Sequence, residues 1–555
     1  MPRNRQKQRS RLKNGKKDAP KLSLKERMAQ RRKQARIRKE LTRTLGMVTF
    51  FSAVVGLVAG IALGVKGGLA GFVGIFYISL SFKYPRYALW AFLIYLPFGG
   101  TITYSIGNSP LLQLAKDGFY IPALIGIVQL CRRDKIPLII SKPIFTALAI
   151  LAGYCGLVLL LVNGVQQLDA DGEIPVAMGI LGLKVLLGYV PLILCAYYLV
   201  RNPATLFFLM RLTVILILIC CGLAFLQYIA LKTGYCQGTR GAEGAHLFKA
   251  SIEARCLVGG SLLYSPQQGQ IRLPGTFVAP WQWGWFLISA GFLTFASAFN
   301  DPKLHWRTLG LASMASVFVM AVLSGQRIAL ALVPVSIVLL LVITGQVANL
   351  KRFVPIAVVL TIGLGVVAMN NPAIVQERVD SFRSRWEHSP PHAFITEQFH
   401  WSLKEQRGLL GNGLGRATNS ARSLGTTELV ETYYPKLIYE IGVPGAILFL
   451  AFVTVITLQC FKAYRSVRDR TLRSYGASFW VFILFISYNT YYYPLDVDPV
   501  AVYYWFFAGV VLKLPELDRQ VRLTHELEQE PTKSKRRKLK KRKASPQPTP
   551  ATASK

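Results

Sequence analysis

The chain has 555 residues, 52% hydrophobic and 12% aromatic against only 17% charged, with a formal net charge of +38. Its apolar residues gather in blocks near the ~20 residues that cross a hydrocarbon core of ~30 Å, which excludes a soluble globular protein and implies a polytopic membrane protein. The charge does not imply a nucleic-acid partner: it sits largely at the two ends, where no aromatic residue interleaves the basic ones and no recognition module surrounds them.

In chain order, residues 1–43 come first, with 18 Lys and Arg against three acidic residues. The run "KSKRRKLKKRK" (533–543) mirrors them near the other terminus. Basic runs beside spanning helices stay inside and attract anionic headgroups, so both tails read as cytoplasmic and as contacts for anionic membrane lipids. The first tail is too long and too charged for a signal peptide, so the first helix reads as a signal anchor. The segment "ASPQPTPATASK" reads as disordered.

Between the tails, apolar runs predict spans at 45–65, 67–82, 87–100, 117–131, 141–163, 176–200, 204–230, 280–299, 307–324, 327–346, 353–369, 436–461, 475–493 and 498–513. The expected fold is all-α, a polytopic helical bundle of about 12–14 transmembrane helices. The pair before residue 86 reads as a re-entrant hairpin or as one tilted element. Threading from a cytoplasmic N-terminus places "KYPR", "CRRDK", "NLKRF" and "FKAYRSVRDRTLR" inside and leaves both termini in the cytoplasm of a multi-pass protein of the inner (plasma) membrane. The organisation is a basic tail (1–43), an N-terminal bundle (44–230), an external loop (231–279), further spans (280–369), a large external loop carrying the chemistry (370–435), C-terminal spans (436–514) and a basic disordered tail (515–555).

Six of eight Cys lie in or beside apolar spans and read as small buried hydrophobes. Cys236 and Cys256 share the first external loop, as a disulfide or as two free thiols. No Walker A loop, GxSxG elbow, HExxH or CxxC is present, so no metal site and no cofactor is expected. The spans hold few acidic residues, which weakens a proton-driven transporter. What remains is basic: Lys184 in an apolar run, Arg272 in "IRLPGTF", Arg327 in "VLSGQRIALALV", and Arg416 and Arg422 in "GNGLGRATNSAR". Arg suits phosphate through its planar fork and permanent charge, and cations gathered at one membrane face would suit a lipid-linked diphosphate. Taken singly, each has a plainer reading: Lys184 snorkelling, Arg327 anchoring at the interface, the loop Arg solvated.

Four stretches resemble the O-antigen ligase and Wzy-type polymerase superfamily of bacterial membrane glycosyltransferases. "IRLPGTFVAPWQWGWFL" is similar to its Arg-x-x-Gly-Thr-Phe element, here Gly275, Thr276 and Phe277, with Gln282 where the family tends to have Asn. "LSGQRIALAL" is similar to its Ser-x-x-Arg helix start. "RGLLGNGLGRA" resembles its Gly-x-Gly-x-Gly stretch (Gly411, Gly413, Gly415), and "ETYYPKLIYEIGVPGAILFL" its Glu-x-Gly-x-x-Gly signature (Glu440, Gly442, Gly445). The order and spacing of these motifs carry the likeness across 200–515, and their flavour also resembles cyanobacterial exopolysaccharide proteins, including those for hormogonium polysaccharide.

The resemblance implies a GT-C-like, metal-independent enzyme that polymerises or ligates undecaprenyl diphosphate-linked glycan repeats at the outer face of the inner membrane. Its partners would be a lipid-linked glycan donor and a glycan or lipid acceptor. Arg272 and Arg327 would clamp the diphosphate; Arg416 and Arg422 are further candidate diphosphate contacts, and Lys184 is a candidate helper that the resemblance itself does not supply. The ligases place a His nine residues before the motif Glu, and here that position is Glu431. A carboxylate can also accept the acceptor's proton, so Glu431 is the candidate base and His400 a second one. The missing His turns the expectation from lipid A core toward polymerisation or another exopolysaccharide. Trp401 and the Tyr433–Tyr434 pair are candidates to stack on sugar. Pro280, Trp281 and Trp283 read as a helix start set in the headgroup belt. The alternatives are a transporter, either a flippase for lipid-linked oligosaccharide or a small-anion carrier such as one for bicarbonate, and a noncatalytic scaffold acting through its tails.

Overall fold

The computed structural model describes residues 24–106, 117–133, 141–240, 254–265, 270–347 and 390–543, with Lys135 and isolated positions between 354 and 383. Residues 1–83 and 84–555 form two separate bodies. Both are helical, and the described strands make one antiparallel pair, β1 (Leu263–Ser265) with β2 (Gln270–Arg272). Seven helices among the described residues are long and apolar enough to cross a membrane. The protein is an all-α membrane protein.

The first body is α1 (Leu24–Lys83), broken at Gly64, whose φ of 76° only glycine adopts easily. Its apolar arms, Arg38–Val65 and Gly67–Lys83, fold back on each other through small residues. A Cβ on Gly68 would lie 2.9 Å from the Gly60 Cα, and one on Gly56 2.8 Å from the Phe72 Cβ. The pair before residue 86 is therefore a helical hairpin and not one tilted element.

The second body begins with α2 (Pro85–Tyr95), α3 (Gly99–Ile106), α4 (Asp117–Arg133) and α5 (Lys142–Val158). A π-helical turn (Leu159–Asn163) then leads into the short α6 (Gly164–Leu168). Next come α7 (Pro175–Leu187), α8 (Leu192–Leu199) and α9 (Pro203–Lys232), and after the hairpin α10 (Pro280–Asn300), α11 (Leu304–Leu323) and α12 (Arg327–Ile343). The rest is α13 (Pro391–Glu405), α14 (Tyr433–Ser466), α15 (Arg470–Tyr488) and α16 (Val500–Lys543).

At the centre lies α10, packed by α11, α12 and α15 and buried at nearly every position from Trp283 to Asn300. That position explains why α10 and α15 are less apolar than the other spans, while α2, α4 and α12 are shorter than a crossing needs. A helix wrapped by protein need not be as apolar as one facing lipid, and α10 and α15 carry Trp, Tyr, Ser and Gly. Most of the run at 353–369, and the ends at 1–23 and 544–555, lie outside the described residues. The basic stretch 515–543, expected to be disordered, instead continues α16 to Lys543, as its Leu, Glu, Lys and Arg content favours.

Two ties hold the segments flanking the centre. Cys236 and Cys256 form a disulfide, and the other six Cys are buried. At the far end of α10, fully buried Asp301 receives both Nε and Nη2 of Arg211 at 2.9 Å, caps the Lys303 amide at 2.8 Å and offers its carbonyl to Arg307.

Candidate functional site

The Gly-Thr-Phe element is a turn wedged between helices. Gly275 has φ +56°, and a Cβ there would meet the Trp283 ring at 2.3 Å, so no larger residue fits. The Thr276 hydroxyl donates to the Pro97 carbonyl, while the Thr276 and Phe277 carbonyls accept from Thr101 N (3.2 Å) and Gly260 N (2.8 Å). Pro280 then opens α10, and Gln282 turns its Oε1 back to the amides of Val278 (3.2 Å) and Ala279 (3.3 Å). Of the two Trp expected in a headgroup belt, Trp281 is exposed. Trp283 is wholly buried against Phe277 and Phe286, because its face of α10 is covered by the turn itself.

The turn carries the first two candidate cations to one place. Immediately after Arg272, the Leu273 amide donates to the Ser324 carbonyl at 3.0 Å. Ser324 starts the Ser-Gly-Gln turn, with Gly325 at φ +67°, that launches α12 at Arg327. The Arg-x-x-Gly-Thr-Phe and Ser-x-x-Arg stretches are thus bonded main chain to main chain, and both arginines are half-buried. Gln326, one residue before Arg327, lies along α10: a Cβ on Gly284 would sit 3.5 Å from its Cβ.

The chain around Glu431 is tied to the same end of α10 through the segment after α15. Gln398 of α13 accepts the Glu431 amide through Oε1 at 3.1 Å, and Phe394 of the same helix meets Tyr491 edge-on. The Tyr433 amide donates to Thr490 O at 2.7 Å, and Trp285 Nε1 of α10 donates to Tyr492 O at 3.0 Å. Tyr493, in left-handed backbone at φ 34°, lies near Asn419 and the carboxylates of Glu431 and Asp496. The segment 490–496 therefore couples Glu431 to α10 two residues from Trp283. Asp496 in turn pairs with Lys436, which is 3% exposed and also acts on Glu440.

The two glycine-bearing motifs of the C-terminal half form one clamp. The Gly411–Gly415 loop lies across α14, with Asn412 N on Tyr439 O (2.9 Å) and Gly413 N on Glu440 O (3.0 Å). The buried Glu440 carboxylate accepts from Ala417 N (2.8 Å) and the Thr418 hydroxyl (2.9 Å). Gly442 kinks α14 at φ 73°, and a Cβ there would meet Leu409 O at 2.1 Å. Tyr154 satisfies the kink by donating to Leu409 O (2.8 Å) and Ile441 O (3.0 Å), and Gly445 makes room for its ring. From the π-turn, Asn163 brackets Leu414, with both bonds at 3.0 Å.

Several expected binding residues serve this frame instead. Arg416 is taken by Glu173 (2.7 Å) and by Gln166 (3.0 Å and 3.2 Å). Bonds from the Thr426 hydroxyl and amide, and then from Arg416, hold the Glu173 carboxyl down at about 2. Lys184 pairs with Asp117 at 2.8 Å. Arg422, on a 3-10 turn, and His400, on the outer side of α13, are exposed. The aromatic candidates for stacking on sugar are occupied: Trp401 stacks on Tyr439 at 5.2 Å, Tyr433 is buried, and Tyr434 donates to Ser487 O.

Sequence reasoning missed Asn163, Gln166, Glu173, Asp117, Gln398, Lys436 and Asp496. A lone amide within the apolar run "LLLVNGV" was the one available signal. Among the described residues no cluster of His, Cys, Asp and Glu could hold a metal ion. No protein-family model and no curated protein matches the chain.

Proposed function

We propose that the chain is a membrane glycosyltransferase that polymerises or ligates lipid diphosphate-linked glycan repeats at the outer face of the plasma membrane. The observation that carries this reading is the Leu273–Ser324 bond, which gathers Arg272 and Arg327 at the end of α10 that Trp285 joins to the Glu431 segment. Two permanent cations on one side and a carboxylate on the other suit displacement of a diphosphate by a hydroxyl. The acceptor hydroxyl attacks the anomeric carbon and gives its proton to Glu431. The bond from that carbon to the phosphate oxygen breaks, and its electron pair leaves with the diphosphate, whose growing charge the two arginines stabilise. Gln398 and the 490–493 segment position Glu431 through its main chain.

The test is purified protein in liposomes, given a polyprenyl diphosphate-linked oligosaccharide and an unlabelled acceptor repeat. The proposal predicts longer glycan and released polyprenyl diphosphate from the wild type, and neither from Arg327→Ala or Glu431→Gln. Glycan that crosses the bilayer unchanged identifies a flippase and overturns the assignment.

A further inference from the structure

Gln326 poses a specific chemical question. It is the N-cap residue of α12, a helix of 17 residues, and it is 8% exposed. Its own amide N–H reaches the Ser324 hydroxyl at 3.4 Å, but its side-chain Nε2 is sealed from solvent with no acceptor. A buried donor left unmade costs about 1–3 kcal/mol, so such a group invites an acceptor from outside the chain. Everything around it asks for the same kind of partner. Arg327 follows it directly, the strand ending at Arg272 is bonded to Ser324 two residues before it, and the first amides of α12 carry the positive end of the helix dipole. No carboxylate hydrogen bond or ion pair is described on Gln326 itself.

We infer that Gln326 is a phosphate-binding residue of this site, donating through Nε2 to a non-bridging oxygen of a lipid diphosphate held between Arg272 and Arg327. The inference rests on the reading of the site proposed above and adds to it a neutral donor, Nε2 of Gln326. A neutral amide that reads an oxygen fixes where the phosphate sits without adding charge, whereas the arginines supply the attraction. A carboxylate at this position would repel the ligand, and a thioether of similar length would offer no donor.

The experiment uses full-length protein in detergent with geranylgeranyl diphosphate as probe and inorganic pyrophosphate as competitor, read by equilibrium binding and by thermal unfolding. Gln326→Met is expected to weaken geranylgeranyl diphosphate binding about tenfold, the loss of one hydrogen bond to a charged group. Gln326→Glu is expected to weaken it further, because a carboxylate repels the diphosphate, while Gln326→Met should leave unliganded thermal stability equal to the wild type, since Nε2 loses no bond within the chain. A purely structural Gln326 predicts the reverse, lower stability with unchanged affinity for whatever remains folded. Stronger binding of geranylgeranyl diphosphate than of pyrophosphate identifies a lipid headgroup as the ligand, and equal binding identifies a free anion read by the same donor. If Arg327→Ala abolishes binding while both Gln326 variants bind like the wild type, the role of Gln326 falls and the diphosphate site stands. If the wild type binds neither probe, the reading of the site falls with it.

Discussion

Replacing Glu440 by Ala should collapse the clamp that holds the Gly411–Gly415 loop on α14. The carboxylate is 3% exposed and accepts from the Ala417 amide at 2.8 Å and the Thr418 hydroxyl at 2.9 Å. It also offsets the charge of Lys436, whose pairing with Asp496 remains. Hydrogen bonds to a charged acceptor contribute about 1.5–3 kcal/mol each, so losing two gives a destabilisation of ~3–6 kcal/mol, overlapping the ~3–5 kcal/mol found when one member of a buried ionic group is removed. Glu440→Gln keeps an acceptor of the same shape but no charge, and should cost about 1–3 kcal/mol because each bond falls to the neutral range of about 1 kcal/mol. The assay is thermal unfolding in detergent, with limited proteolysis to read the loop. Glu440→Ala should be cut first between residues 406 and 430 at temperatures where the wild type resists. Unfolding within about 0.5 kcal/mol of the wild type, with no new cleavage there, would refute the view that Glu440 anchors the loop.

Gly275→Ala combines left-handed backbone, about 1–2 kcal/mol, with a 2.3 Å clash against the Trp283 ring, and should lower the unfolding temperature more than Gly74→Ala, where a Cβ meets nothing. Asp301→Ala leaves Arg211 without its bidentate partner and should cost about 3–5 kcal/mol, while Arg211→Lys should lose less; unfolding of the two variants side by side checks the order. Reduction of Cys236–Cys256, or Ser at both positions, should remove about 3 kcal/mol, the entropic contribution of a loop of this length, and appear as a lower unfolding temperature in reducing buffer. Because the folded Glu173 carboxyl titrates near 2 and an unfolded one near ~4.3, its contribution to holding Arg416 and Thr426 is complete above ~4.3 and lost as pH falls toward 2. Proteolysis of the loop should accelerate across that window, and Glu173→Gln should remove most of the pH dependence.

What the sequence made legible was local. Apolar runs placed most helices, and the Gly-Thr-Phe turn before Pro280 marked the start of α10, because a glycine at φ +56° and a proline in the first helical turn are determined by their own backbone. Partnership over long range was not legible. Arg416 and Glu173 lie 243 residues apart, and the charge of each taken alone suggested ligand binding for one and nothing for the other. Lys184 likewise looked solitary until α4 brought Asp117 to it. Trp283 was misplaced for a related reason: a run of aromatic residues at a helix start fits the headgroup belt, and only the returning 273–277 turn shows that this side is covered. Gly442 was legible as a motif residue, but its purpose, a kink that lets Leu409 approach to hydrogen-bond distance of Tyr154, depends on a chain segment more than thirty residues away.

In the proposed mechanism Arg327 and Glu431 act on the same glycan-transfer step. The most direct test is a gel profile of surface and released polysaccharide from a deletion strain complemented with wild type, Arg327→Ala or Glu431→Ala at matched protein levels, with lipid-linked intermediates extracted in parallel. Long glycan should disappear in both variants while lipid-linked precursor accumulates, as single repeats for a polymerase or as finished polymer for a ligase. Unchanged polysaccharide and unchanged lipid-linked intermediates in both variants would contradict it.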